Sequence, residues 1–248
     1  MTNEQPDLPD LSGYSREALE RMLEAGREVV ECHRVLARSG DNIVGELLRG
    51  YDNFFQWSHY PKGDVYDRET HSQYYYHAHP QDQRPGEHGH FHTFIRPKGM
   101  PPEIRPALVP DYKAPENPND ALSHLVAVSM DAKGFPIQMF STNRWVTGEV
   151  WYVAEDVVAL VDLFDIDHAR PSWPVNRWIT GMLALFRPQI VQLLAERDRV
   201  VAAWQEEHPD RDVYEDRELE VTSKVPVPID EQIAHIQAAL EGQGGPPG

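Results

Sequence analysis

The sequence contains a single cysteine, Cys32, so it can form neither an internal disulfide nor a set of thiolate metal ligands. It also lacks any apolar run that approaches the roughly 20 residues needed to cross a bilayer. Its N-terminus shows no basic and then apolar segment of the kind that marks a signal peptide. These absences predict a cytoplasmic protein that does not act in a membrane.

Basic residues are scarce, with 23 Lys and Arg against 40 Asp and Glu, and the net charge is -17. Nucleic-acid backbones are bound by neutralising phosphates with Lys and Arg, and anionic membrane surfaces attract basic segments. The composition therefore argues against both partners. A small-molecule substrate is the partner we expect, and the sequence leaves the oligomeric state open.

The 248 residues suffice for one domain with a full hydrophobic core. We predict a single domain over residues 14–241, between flexible tails at 1–13 and 242–248. Hydrophobic periodicity predicts a helix that Ser15 caps and that runs to about Arg38, and a second helix that Asp41 caps. Further helices are predicted over residues 154–164, 175–204, with a kink or break at Pro188, and 230–240.

Strand-forming residues are concentrated in the middle of the chain. Residues 72–79 and 88–96 predict one hairpin, and residues 122–130 and 135–148 predict a second one around the turn 131–134. Residues 60–71 are rich in turn formers and residues 97–120 in proline, so both are expected to be irregular. The order of elements predicts an α+β fold, with a central antiparallel sheet of two or more hairpins flanked by N- and C-terminal helices.

Histidines are crowded in the first predicted hairpin, where six of the chain's 12 lie between positions 71 and 92. Alternate residues of a strand point to the same side, and their backbones are about 6–7 Å apart. His77 and His79 therefore share one face, and His88, His90 and His92 share another. Imidazoles at this spacing can converge on one metal ion.

Whether the two groups of histidines meet depends on the strand register, since a slip of one residue would place them on opposite faces. We predict the shared face, because a metal satisfies several buried imidazoles that would otherwise each need a hydrogen-bond partner. The register that achieves this pairs His79 with His88, His77 with His90 and Tyr75 with His92. Five imidazoles exceed one tetrahedral shell, so either some of them act as acid/base groups or there are two metals.

The candidate metal ligands are five histidines and the nearest carboxylate: His77, His79, His88, His90, His124 and Glu87. His124 is included because its apolar strand predicts a buried position near the first hairpin. His92 and Tyr75 are predicted to take part in catalysis. His59, His168, His208 and His235 are interpreted as structural.

A six-residue string occurs twice, as residues 143–148 and 176–181, and each copy contains Asn-Arg-Trp. The repeat is interpreted as a coincidence or as two Arg/Trp clamps on separate polar partners. Arg144 ends the hairpin that carries His124, so we predict that it faces the metal pocket and binds an anionic group of either the substrate or the protein. Arg177 is predicted to be structural and to tie the long helix to the sheet.

The strings YYYHAHP and EHGHFHTF resemble a bacterial family whose function is unknown, and this resemblance implies no activity. His77-Ala78-His79 is similar to the H-x-H motif of cupin barrels, although Glu87 comes later than in that motif. His90-Phe91-His92 together with His124 is similar to the three-histidine arrangement of α-class carbonic anhydrases, from which the helix content here departs.

The histidine hairpin predicts a transition-metal site that holds Fe, Cu or Zn. The leading hypothesis is an oxidoreductase or oxygenase acting on a small molecule, because the hairpin is rich in His and Tyr. The first alternative is a zinc-dependent hydrolase or lyase. The second is a non-catalytic carrier, sensor or structural metal protein, which a closed four-ligand shell would favour.

Overall fold

The computed structural model describes residues 8–110 and 112–243, so predictions that concern residues 1–7 and 244–248 lie outside the described residues. Within this part of the chain there are seven helices: α1 (Arg16–Arg38), α2 (Ile43–Leu47), α3 (Arg144–Thr147), α4 (Ala154–Val161), α5 (Trp173–Leu185), α6 (Arg187–Glu207) and α7 (Ile229–Gln243). There are also six strands: β1 (Tyr60–Tyr66), β2 (Ser72–His77), β3 (Gly89–Ile95), β4 (Ser123–Met130), β5 (Pro136–Thr142) and β6 (Val221–Pro226).

The strands form one open sheet in the order β1-β2-β3-β4-β5-β6, and each neighbouring pair is antiparallel. Helices precede and follow the sheet along the chain, so the predicted α+β fold is confirmed. Both predicted hairpins are present, as β2–β3 and β4–β5. The sixth strand, β6, completes the sheet beside β5.

One face of the sheet packs against the helices. Tyr74, Tyr76 and Phe91 are fully buried in the main hydrophobic core, and the Phe91 ring lies 5.3 Å from that of Trp178 in α5. Side chains alternate along a strand, so the residues between them project from the other face. The histidines of β2 and β3 therefore lie on the sheet face opposite the helical layer.

The helix boundaries follow local chemistry. Ser15 caps α1 as predicted, because its side chain accepts a hydrogen bond from the backbone of Ala18. The predicted cap at Asp41 is wrong: the Asn42 side chain accepts from Gly45 instead, and Asp41 accepts from the backbone of Asn42. Pro188 lies in the first turn of α6, and the chain bends by 71° between α5 and α6, as expected from the missing N–H of proline.

Residues 60–66 form a strand rather than the predicted irregular segment. β1 lies at the edge of the sheet and pairs only with β2, with an irregularity between Tyr60 and Val65. An edge strand tolerates Pro61 and Gly63, because one side of its backbone needs no strand partner. The turn-forming composition of residues 60–66 therefore predicts a loop where the structure has a short paired strand.

The N-terminal residues that the structure describes contact the core. Leu11 is buried, and the backbone carbonyl of Pro9 is 2.8 Å from Nε2 of His235 in α7. Among the described helices, none is by itself long and apolar enough to cross a membrane, although the bent pair α5–α6 passes that test by length and composition.

Candidate metal centre

The register between β2 and β3 determines which histidines meet. His77 pairs with His90 and Tyr75 pairs with His92, so two of the three predicted pairs are confirmed, whereas His79 and His88 lie outside the paired strands. On the other side of β3, Ser129 of β4 is opposite His90. All these side chains project from the same face, which collects polar groups from three neighbouring strands.

Three histidines form the centre of this cluster. Each of His77, His79 and His90 offers a ring nitrogen, and the three nitrogens lie within 4.8 Å of one another. The Nε2 atoms of His77 and His90 are 2.7 Å apart, and the His79 ring is 5.0 and 5.2 Å from the rings of His77 and His90. His77 and His90 are buried, whereas His79, just beyond the end of β2, is partly exposed. These three residues can hold a metal ion.

Glu87 fixes the orientation of His90. Its Oε1 atom is 2.6 Å from Nδ1 of His90, and its Oε2 atom accepts a hydrogen bond of 2.5 Å from the Ser129 hydroxyl. The proton on Nδ1 then leaves the lone pair of His90 on Nε2, facing His77. Burial disfavours the Glu87 carboxylate, but the hydrogen bonds from His90 and Ser129 hold its pKa below the usual value. Both carboxylate oxygens are engaged, so Glu87 is placed to orient a ligand rather than to bind the metal.

His92 lies beside the triad and has one free nitrogen. Its ring is 4.8 Å from that of His90 and 5.2 Å from that of His77. Its Nδ1 atom is 2.9 Å from Nε2 of His124, while its own Nε2 atom is buried without a hydrogen-bond partner in the described structure. A buried polar atom without a partner is costly, so this nitrogen is suited to contact a metal ion, its bound water or a substrate.

His124, predicted as a ligand, contacts His92 and not the triad. Its backbone N–H donates to Oε2 of Glu149, and burial raises the pKa of that carboxyl to about 8. The insertion of an extra residue in β4 beside Thr93 brings His124 opposite Phe94. His124 therefore fixes the orientation of the His92 ring through the contact at Nδ1.

The clustered imidazoles are neutral at ordinary pH. Burial, helped by the neighbouring His90, lowers the pKa of His77 to about 2. Burial also lowers the pKa of His124 to about 3 and that of His92 well below its usual value. Neutral imidazole is the form that binds a metal, so the sheet holds His77 in the protonation state that a ligand requires.

The imidazole donors fit a transition metal of intermediate softness. Neutral imidazoles suit Zn, Cu and Fe, and three protein ligands with an open position are typical of catalytic zinc sites. A tetrahedral ion with bonds of about 2.0–2.1 Å keeps its ligand nitrogens about 3.3 Å apart. The Nε2 atoms of His77 and His90 would therefore separate by about half an ångström on binding, a small rotation of either ring.

His88 was expected to share the face of His90 and His92, but it lies on the other side. The residue precedes β3, and its Nδ1 atom is 2.7 Å from the hydroxyl of Tyr76, which points into the opposite face. Its ring stacks on Phe54 at 5.3 Å. The alternation rule fails here because the regular strand begins only at Gly89.

Arg144 was expected to face the metal pocket, but the contacts that it makes are elsewhere. Its guanidinium forms an ion pair with Glu215, and its Nε atom is buried without a partner in the described structure. The anionic group that Arg144 binds is therefore a carboxylate of the protein, and the pair joins two segments of the chain. Arg177 is structural as predicted, but its bidentate bond to Glu28 ties α5 to α1 instead of to the sheet.

The asparagines of the repeated string are buried and hydrogen-bonded, and its tryptophans also donate, Trp145 to the carbonyl of Leu219 and Trp178 to His33. The Asn143 amide donates to the carbonyls of Val213 and Leu219. The Asn176 side chain accepts from the Tyr74 hydroxyl and donates to two carbonyls of the preceding loop. Each asparagine fastens a different loop, so the repeat has no role in the metal cluster.

His59 belongs to the surroundings of the site, although the sequence suggested a structural role. Its ring stacks on Tyr75 at 3.6 Å, and its Nδ1 atom is 3.0 Å from the Asp64 carboxylate. The His59 ring is also 5.8 Å from that of His77. The pairing of β1 with β2 brings His59 beside Tyr75 and His77. The turn-forming residues of β1 do not predict that pairing.

Among curated proteins and solved structures, none matches this chain. A family whose description is "Domain of unknown function (DUF6969)" matches residues 23–227, which include all six strands and every histidine of the cluster. The chain therefore belongs to this family, as the resemblance of its two histidine strings implied.

Proposed function

We propose that the protein is a metal-dependent enzyme, an oxidoreductase or oxygenase that acts on a small molecule. The observation that carries the proposal is the convergence of His77, His79 and His90 beside the unpartnered Nε2 of His92. A closed structural shell would engage four ligands, whereas three ligands leave a position for a reactant. The bound metal would supply redox chemistry with O₂ if it is Fe or Cu.

The residues of the chain have separate tasks in this proposal. His77, His79 and His90 hold the ion, and Glu87 keeps His90 in the tautomer that binds through Nε2. His92 presents Nε2 to the reactant, where it can accept or release a proton. Tyr75, packed between His92 and His59, shields this side of the site from water.

A second candidate is a zinc-dependent hydrolase or lyase. The contact that favours it is the carboxylate of Glu87 on Nδ1 of His90, an arrangement common in zinc enzymes. Zinc would activate water for attack on a substrate. The two candidates differ in the metal and in the need for an oxidant, while they share the same three ligands.

The test loads metal-free protein with Fe(II) without oxygen and then adds nitric oxide as a probe of open positions. A three-ligand site should bind nitric oxide and give the electron paramagnetic resonance signal of a high-spin iron–nitrosyl centre. The signal should disappear in His90→Ala and remain in His208→Ala. A wild-type protein that binds Fe(II) but gives no nitrosyl signal would contradict an open site and favour a closed, non-catalytic one.

A further inference from the structure

Four aromatic side chains between α2 and β1 are unusually exposed. The exposed fractions are 40% for Tyr51, 37% for Phe54, 63% for Phe55 and 55% for Trp57. Single exposed apolar residues are ordinary, but a cluster of large rings on one short segment is typical of a binding surface. These residues are called the aromatic segment below.

The aromatic segment adjoins the metal cluster. The Trp57 ring packs on that of His79 at 4.2 Å, and His79 is the partly exposed member of the triad. A cavity of about 390 Å³ lies beside them and is lined by Phe54, Phe55, His79 and His88. Because about 150 Å³ already suffices for benzene, the cavity has room for one or two fused rings.

His88 supplies a hydrogen-bond donor in this cavity. Tyr76 is fully buried, and its phenol hydroxyl has one proton to donate. Among the described residues, Nδ1 of His88 is the only acceptor within reach of that proton. The hydroxyl thus donates to Nδ1, and the proton of the neutral His88 ring lies on Nε2.

The charge of the cavity indicates a neutral ligand. Its wall is completed by Gln56, Ala78 and Gln81, so no Lys, Arg, Asp or Glu is among the lining residues. A larger cavity that Phe140 lines differs, because it carries charged side chains of both signs: Arg84, Lys224, Glu87 and Glu196. The apolar rings and the amide and imidazole donors of the cavity beside His79 suit an uncharged compound with an acceptor oxygen.

We propose that the cavity beside His79 binds a small neutral aromatic compound that carries a hydroxyl or carbonyl oxygen. Its ring packs against Phe54 and Phe55, and its oxygen accepts a hydrogen bond from Nε2 of His88. This inference rests on the proposed function, because it identifies the bound compound as the substrate of the metal centre. The exposed rings then provide the apolar contacts that bring the substrate to His79.

The probe is 2-naphthol, a neutral fused-ring alcohol, and its binding is measured by ligand-observed nuclear magnetic resonance with the full-length protein. Phe55→Ala should weaken binding by about three- to tenfold, the range expected for loss of an aromatic contact. Phe135→Ala is the matched control, since Phe135 is also exposed, at 51%, but lies in the turn between β4 and β5. It should leave the affinity unchanged.

Naphthalene tests the polar contact. His88→Ala should weaken 2-naphthol and leave naphthalene nearly unaffected, because only the hydroxyl uses Nε2 of His88. An equal loss for both probes would overturn the role of His88. Equal effects of Phe55→Ala and Phe135→Ala, or no binding to wild type, would overturn the cavity as the site.

Cobalt(II) separates this inference from the proposed function. In protein loaded with Co(II), the resonances of bound 2-naphthol should broaden, since the ion at His79 lies beside the cavity. Protein that fails to take up Co(II) contradicts the proposed metal centre, while the 2-naphthol titration still decides whether the cavity binds aromatic compounds. Self-association of the wild type that Phe55→Ala abolishes would show that the rings serve a second copy and would overturn the inference.

Discussion

Replacing Glu87 by glutamine tests how the sheet prepares His90 for metal binding. The amide can still accept from Nδ1 of His90 through its oxygen, so the change mainly removes the negative charge. Glu87 and His90 are 6% and 1% exposed, so solvent screens their 2.6 Å contact very little. Loss of a partner of this kind lowers metal affinity by about 10- to 100-fold. We expect the upper part of that range, about 2–3 kcal/mol of binding free energy.

The assay is a competition titration of Zn(II) and Fe(II) against a chelator, for wild type and Glu87→Gln. The matched control is Glu220→Gln, because Glu220 also lies near the cluster but pairs with Arg84 instead of a histidine. Urea denaturation of the metal-free proteins verifies that both variants fold. If folded Glu87→Gln bound both metals as tightly as the wild type, the idea that this carboxylate orients a ligand would be refuted.

Three further predictions concern residues outside the triad. Arg144→Ala should leave metal affinity unchanged in the same titration and change the free energy of unfolding by less than about 1 kcal/mol, because it removes a partly exposed ion pair with Glu215. Burial lowers the pKa of His33 to about 4, below its value in the unfolded chain. The unfolded state therefore binds the proton first, and the free energy of unfolding falls as the pH drops from 6.5 towards 4. His33→Gln keeps an acceptor for the Trp178 indole. In urea denaturation this variant should reduce the dependence of the free energy of unfolding on pH by up to about 1.4 kcal/mol per pH unit, and an equal dependence in both proteins would contradict this role of His33. Asn176→Ala should cost about 2–4 kcal/mol in the same assay, because it leaves the Tyr74 hydroxyl and two carbonyls unpaired, and a cost below 1 kcal/mol would contradict that role.

The hairpin could be predicted from the sequence because two periodic signals agreed. The strings around His77 and His90 alternate at strand spacing, and the register that pairs these two residues gives their imidazoles a common face, which a slip of one residue would remove. The same reasoning failed at His88, where the chain has not yet entered the strand. A period-two pattern carries no information about where regular pairing begins.

The surroundings of the cluster could not be predicted, because they depend on contacts between distant segments. His59 reaches Tyr75 through an edge strand whose proline and glycine predicted a loop. His124 is displaced toward His92 by an extra residue in β4, and Arg144 finds Glu215, 71 residues away. Composition identified the types of side chain near the site, whereas their partners follow from the tertiary fold.

Elemental analysis of the purified protein tests the central claim most directly. Wild type and His208→Ala should each carry, or be loadable with, close to one equivalent of Fe, Cu, Zn or Mn, because His208 packs against Trp204 outside the cluster. His90→Ala should lose most of this metal, since it removes the ligand that lies between His77 and Glu87. Equal metal content in all three proteins, or a wild type that no transition metal can load, would contradict the account.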